Sequence, residues 1–355
     1  MDLQPGETDE ELVAPAEAAQ QKGGHYLTHP VKASPFLPYT PALPRKKRCL
    51  HAPLARAFRV PVHPLAPGSP ATVRVYDLAR LLALATMWSL QHLFNRVAVP
   101  ELGAGLVAEL RVLSAAFFLV PVAYMLGQKV ELLAHPRAFI RVCFTNNVFP
   151  FVCFAFAAAS LPAGYLAIFN GTVPMWTALF AAWILKEPLG ARRLFAFALG
   201  IAGVTMIVNL GPVELSARVL IAAVIALAGA ASWGWGGVIV KQHTGEMPAI
   251  ALAAGSMVYA VFLLSPGWAQ APTATWTLVG TGSAIVLGLV CSGIAYLAFF
   301  TLVRDIGPSR TLAVTFLIPV LGVLWGWVFL DEKITASMIV GGVMVLAALR
   351  LVLRR

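Results

Sequence analysis

The chain has 355 residues, 59% hydrophobic and only 12% charged, with a formal net charge of +10 and a mean hydropathy of +0.78. Soluble globular chains are nearer about 45–50% apolar and about 25% charged, so the composition excludes a water-facing surface and points to a multi-span membrane protein. The cysteines Cys49, Cys143, Cys153 and Cys291 form no CxxC pair and three lie in apolar segments, which indicates neither a disulfide framework nor a metal site, and no cofactor is expected.

Residues 1–75 hold 12 of the 25 prolines and no apolar run. The segment opens acidic, with Asp2, Glu7, Asp9, Glu10 and Glu11, and turns basic at PRKKRCLHAPLARAFR. It lacks the apolar core of a signal peptide and reads as a disordered cytoplasmic tail. Its basic cluster is either solvated or held on anionic lipid.

From Leu78 onward, apolar runs predict ten spans, at roughly 78–97, 103–126, 139–159, 163–185, 191–209, 219–239, 248–265, 277–302, 309–330 and 335–353. A run of about 20 apolar residues crosses a hydrocarbon core about 30 Å thick as a helix. The runs are continuous and too long for barrel strands, and helices satisfy every backbone group inside lipid. Lys129, Arg137, Arg141, Lys186, Arg192, Arg193, Lys241, Arg304, Arg310, Arg350, Arg354 and Arg355 fall on one side of this threading, with the basic tail. Only Arg96, Arg218 and Lys333 fall on the other. Both termini are therefore expected to be cytoplasmic.

Polar side chains inside spans must find partners or face a cavity. In the first span Trp88, His92 and Asn95, spaced i, i+4, i+7, share one face. His92 reads either as a hydrogen-bonded interior residue or as a proton carrier, since imidazole titrates near neutral pH. In the second span Glu109 and Arg111 stand about 200° apart around the helix. Arg111, read as structural, either snorkels outward or pairs with another helix, and Glu109 is a second proton-coupling candidate. The third span carries Asn146 and Asn147, the fourth Asn170, the sixth Ser232 and Trp233, the eighth Ser292 and Tyr296, and the ninth Thr315. The expected substrate-binding set is Trp88, His92, Asn146, Asn147, Asn170, Trp233, Ser292, Tyr296 and Thr315. The alternative for each is a plain interhelical hydrogen bond.

The chain also repeats itself. Pro174 and Glu187 recur 145 residues later as Pro319 and Glu332 with identical spacing. The same offset carries Trp88 to Trp233, Arg96 to Lys241, Pro121 to Pro266, Asn147 to Ser292, and Thr177 and Ala181 to Gly322 and Gly326. Ungapped agreement at marked positions indicates an internal repeat. Five spans per copy is odd, so the second copy enters the membrane inverted, as in many secondary transporters. Residues 76–210 and 211–355 are thus the two expected halves. Pro174 and Pro319 are expected to bend their helices. Glu187 and Glu332 read first as structural, each placed to favour the positive N-terminal end of the following helix by about 0.3–1 kcal/mol, with a transport role as the alternative. The small-residue faces at Thr177/Ala181 and Gly322/Gly326 permit close helix approach, with internal packing weighed ahead of a homodimer contact.

Several of these stretches resemble a known family, the EamA type of the drug/metabolite transporter superfamily. The resemblance covers about 78–353 and rests on ATMWSL, on AELRVLSAAFFL with Arg111, on NGTVPMWTALFAAWILKEPLGARRLFAFALGIAGV, and on YLAFFTLVRDIGPSRTLAVTFLIPVLGVLWGWVFLDEKIT. It implies an all-α integral membrane protein of ten transmembrane helices in two inverted five-helix repeats, moving small metabolites, often outward, across the bacterial inner membrane. The N-terminal segment departs from that pattern.

The residues argue against other classes. There is no HExxH motif, no pair of aspartates in facing spans and no convincing Ser–His pair for an intramembrane enzyme, and no GxxxxGK[ST] for a nucleotide-driven pump. No filter-like loop or ring of like charge suggests a channel. The expected function is secondary transport of small metabolites such as amino acids or amphiphilic compounds by alternating access, and not enzymatic. Spans one to four and six to nine would line the cavity, with five and ten outside it. The alternative is an intramembrane enzyme or lipid-handling protein. Expected partners are a small-molecule substrate and membrane lipid, and nucleic acid is not among them.

Overall fold

A computed structural model of the protein describes residues 75–184, 186, 190–210, 213–243, 247–306, 311 and 314–353. The tail expected over 1–75, apart from Val75, and the candidate Glu187 lie outside the described residues.

The described residues are almost wholly helical. In chain order the helices are α1 (Val75–Leu102), α2 (Ala104–Met125), α3 (Pro136–Val142), α4 (Phe149–Ala158), α5 (Ala163–Asn170), α6 (Val173–Ile184), α7 (Ala191–Leu210), α8 (Ala217–His243), α9 (Ala249–Leu264), α10 (Leu278–Gly288), α11 (Ala295–Ile306), α12 (Val314–Leu330) and α13 (Ala336–Leu353). A π-helical turn, Cys143–Val148, joins α3 to α4, and another, Leu289–Ile294, joins α10 to α11. A 3-10 segment, Ser265–Thr273, continues α9.

Among the described residues, seven helical stretches are long and apolar enough to cross a membrane: Ala104–Met125, Pro136–Ala158, Ala163–Ile184, Ala191–Val208, Ala217–Val240, Ala249–Thr273 and Leu278–Ile306. The stretches Val314–Leu330 and Ala336–Leu351 are apolar but shorter. Helix α1 is long enough at 28 residues, but Gln91, His92, Asn95 and Arg96 dilute its apolar content.

Pro174 does not bend a helix from within. It is the second residue of α6, after a break at Gly171–Thr172 that separates α5 from α6. At that position the missing N–H of proline costs nothing, because the first turn has no partner for it. Pro319, by contrast, lies inside α12. The expectation of a bend from within therefore fails at Pro174, whose stretch is a broken helix.

Glu332 meets a different helix from the one expected. Its carboxylate accepts hydrogen bonds from the main-chain N–H of Ala163 (2.7 Å) and Gly164 (3.1 Å), capping α5 rather than the following α13. These are orphan donors at a helix N-terminus, where a negative charge also meets the helix dipole. The preceding residue, Asp331, has φ of 51°, and Lys186, which lies 145 positions earlier, has φ of 54°. A left-handed non-glycine residue costs about 1–2 kcal/mol, so the Asp331 turn is held by other contacts. One such contact runs from Glu332 N–H to the Gly326 carbonyl at 3.1 Å.

Small residues set the close crossings. Gly322 of α12 abuts Ala167 of α5, and Gly234 of α8 lies against the Thr177 main chain of α6. Helices α7 and α13 meet at Gly203 and Gly341. A Cβ on Gly203 would stand 2.7 Å from the Gly341 carbonyl oxygen, and one on Gly341 2.6 Å from that of Gly203.

Contacts between connecting segments gather at the helix ends. Arg96 donates to the Ala158 carbonyl (3.1 Å) and Arg218 to Ser160 Oγ (3.0 Å). Gln270 accepts from the N–H groups of Gly105 and Leu106, capping α2 (3.0 and 3.1 Å). Thr277 donates to Glu101. Elsewhere, Arg80 of α1 pairs with Asp305 of α11 at 2.9 Å.

Candidate functional site

The interior holds a continuous arc of polar and aromatic side chains. It begins at the α5–α6 break, where Asn170, the last residue of α5, lies 3.2 Å from His92 Nε2 of α1. His92 is fully buried and packs on Phe154 of α4, with ring centroids 5.4 Å apart. Its Nδ1 has no hydrogen-bond partner among the described residues. Phe154 stacks on Trp233 of α8 at 4.8 Å, and Phe151 meets the same indole edge-on at 6.2 Å. Trp233 donates to the Asn146 carbonyl at 2.9 Å and Ser232 to the Thr145 carbonyl at 2.9 Å. Both acceptors sit in the first π-helical turn, where the wider backbone ring frees carbonyl groups from regular pairing. The Asn146 side chain lies against Gly236, where a Cβ would collide with it.

The arc ends on Arg111. Of the two arrangements expected for it, outward snorkelling and pairing with another helix, the second holds, since the side chain is only 3% exposed and points into the interior. Arg111 Nε donates to Ser292 Oγ at 3.0 Å, Nη2 donates to Gln91 Oε1 at 3.0 Å, and Cζ lies 3.5 Å from the Phe151 ring centroid. No carboxylate among the described residues pairs with it. Gln91, between His92 and Trp88 in sequence, is a functional candidate that sequence reasoning missed. Its i−1 offset from His92 hid it, although Arg111 sought an acceptor on another helix.

Two interhelical bonds match across the 145-residue offset. Arg111 of α2 donates to Ser292 in the second π turn, and Asn147 in the first π turn donates to Ser256 of α9 at 2.9 Å. Residue 256 is the offset mate of 111, and 292 of 147. Each bond therefore links a second-span helix of one expected half to the third span of the other.

The remaining expected residues lie elsewhere. Trp88 packs on Phe299 (5.3 Å) and leads through Phe300 to Tyr296 (5.4 and 6.2 Å), a second aromatic string beside the first. Asn95 is buried but donates to the Gln91 carbonyl of its own helix at 2.9 Å, which accounts for it as a local bond. Thr315, the offset mate of Asn170, is partly buried on α12. Glu109 is buried and accepts from Trp268 Nε1 at 3.2 Å, while its Oε2 has no partner among the described residues. It faces the 3-10 segment, not the arc, as the 200° separation from Arg111 requires. Among the described residues no cluster of three or more metal-ligating side chains occurs.

Comparison with known proteins gives the family. The model of the EamA-like transporter family matches residues 78–209 and again 220–354. The uncharacterized transporter YvbV of Bacillus subtilis is 27% identical over 279 residues, covering 77% of this chain and 90% of that one. A probable amino-acid metabolite efflux pump of Salmonella typhimurium is 25% identical over 289 residues, covering 76% and 91%. A solved crystal structure of a protein superposes with a TM-score of 0.57 at 16% identity, covering 78% of this chain and 96% of that one, a likeness of fold alone.

Proposed function

Because the chain belongs to the EamA-like transporter family, we propose that it is a secondary transporter that exports small amino-acid-like metabolites across the bacterial inner membrane by alternating access. The observation that carries this reading is the buried arc from Asn170 through His92, Phe154 and Trp233 to Arg111. It puts hydrogen-bonding groups and aromatic faces side by side where a polar, partly apolar solute would sit. The efflux pump of Salmonella typhimurium supports the amino-acid class and the outward direction.

An inverted repeat is the architecture proposed for the movement. The matched Arg111–Ser292 and Asn147–Ser256 bonds support it, as do the paired left-handed residues Lys186 and Asp331 and the π turn in the third span of each half. Such halves rock about a site at mid-depth. The broken helix at Gly171–Thr172 fits that role, since irregular backbone at membrane depth is stable only where it borders protein or a cavity. Both termini are proposed to be cytoplasmic. A tag inserted within 265–276 should then be labelled from outside in intact cells, and labelling only after permeabilisation would reverse the orientation.

His92 is proposed to couple transport to protons, since it is a buried imidazole within the arc whose Nδ1 meets no partner among the described residues. Glutamine keeps hydrogen bonding to Asn170 but cannot titrate between pH 5 and 8. In reconstituted vesicles His92→Gln should keep downhill flux within about threefold and lose the acceleration by an imposed pH gradient. An unchanged pH-gradient response removes His92 from coupling. Glu109→Gln is then the next variant, and a second unchanged response favours uniport.

A further inference from the structure

We propose that Arg111 is the anion-recognition group of the transport site, so that the transported solute carries a carboxylate. This deepens the transporter reading and rests on it. A guanidinium inside a membrane protein is costly unless an anion or a full set of acceptors compensates it. Arg111 is 3% exposed, yet its partners are two neutral oxygens, Ser292 Oγ and Gln91 Oε1, and the face of Phe151. A guanidinium fork carries more N–H donors than these two bonds use, and Nη1 donates to no acceptor among the described residues.

The matched bond in the other half isolates what the arginine adds. Where Arg111 meets Ser292, the mate position uses Ser256 with Asn147, a neutral pair at nearly the same distance (2.9 against 3.0 Å). Joining those helices therefore needs no charge. The arginine supplies a planar, permanently charged fork shaped to take a carboxylate through two parallel hydrogen bonds. The surroundings suit the rest of such a solute. Phe151, Trp233 and Phe154 run from the guanidinium as a continuous aromatic wall, and His92 with Asn170 lies at its far end. An acid group at Arg111 with an apolar body along the wall is the arrangement these residues accept. A carboxylate bound there would share the guanidinium with Ser292 and Gln91, and so act on the bonds that join α1, α2 and the second π turn.

The test uses the full chain purified into neutral-lipid vesicles, so that anionic headgroups do not compete. The probes are radiolabelled L-leucine and L-phenylalanine, each against its carboxamide. Flux and ligand-induced thermal stabilisation are both read. The wild type should prefer acid to amide by at least about tenfold in both. Arg111→Gln should bring that ratio close to one, and Arg111→Lys should retain part of it. If Arg111→Gln does not fold, the wild-type acid-to-amide ratio still decides. Equal handling of acids and amides by the wild type, an unchanged ratio in folded Arg111→Gln, or neither flux nor stabilisation with either acid overturns the inference. The two readings fail separately. Movement of amides as readily as acids keeps the transporter and removes the anion site. Acid-selective, Arg111-dependent stabilisation without flux keeps the anion site and removes the transporter.

Discussion

Glu332→Ala is expected to lower the stability of the detergent-solubilised protein by about 3 kcal/mol, the combined effect of two charge-assisted hydrogen bonds to otherwise unpaired donors. The two N–H groups, of Ala163 and Gly164, lie at the start of a helix whose other end carries Asn170. Loss of the cap therefore acts on the placement of a candidate site residue as well as on stability. Glu332→Gln retains one acceptor oxygen and should fall about midway. Equilibrium unfolding in mixed micelles reads both. An alanine variant as stable as the wild type would show that water replaces the carboxylate at no cost. Glu187→Ala is a companion test of the repeat. A comparable loss is expected if the two halves are built alike, and a neutral result counts against it.

The second large effect belongs to the α7–α13 crossing. Gly341→Leu and Gly203→Leu each place a side chain where the partner helix presents its main-chain carbonyl, within 2.7 Å even for the first carbon. Backbone cannot yield as a flexible side chain does, so the helices must separate. Overpacking of this kind costs about 1–3 kcal/mol, and the larger isobutyl group should reach or exceed the top of that range. Alanine at either position should fall lower in the same range. The double variant should lose less than the sum of the single losses, because one separation accommodates both side chains. Additive losses would indicate that the two glycines do not share one contact. Neither helix contributes to the arc at Arg111 and His92, so substrate affinity in the protein that remains folded should be unchanged.

The membrane class was legible in the sequence because hydropathy is a sum over about 20 residues and tolerates single exceptions. The family was legible for a similar reason, since its motifs extend over whole spans. Individual partners were much less so. His92 and Asn170 were both candidates, yet nothing in their 78-residue separation said that one would touch the other. For Arg111 the sequence left snorkelling and pairing with another helix both open, and only tertiary packing reveals the acceptors on Gln91 and Ser292. Glu332 was assigned to the wrong helix because local sequence offers only the next helix as a partner, whereas the donors it satisfies lie 168 and 169 residues earlier. The left-handed turns at Lys186 and Asp331 carry no glycine to announce them. Pro174 looked like a kink because the break before it falls within a continuous apolar run.

The α7–α13 crossing also bears on how the chain is made. Gly203 leaves the ribosome 138 residues before Gly341. At about 5–20 residues per second, the face of α7 that carries it waits roughly 7–30 s in the bilayer before its partner is synthesised. The N-terminus of α5 waits longer still for Glu332. During that interval the early helices are inserted but not closed, and their small-residue faces are open to lipid or to the same faces of neighbouring nascent chains. Stalled translation before α13 should therefore yield an inserted species that remains sensitive to protease and chaperone-dependent, with its resistance appearing only as the last helix enters.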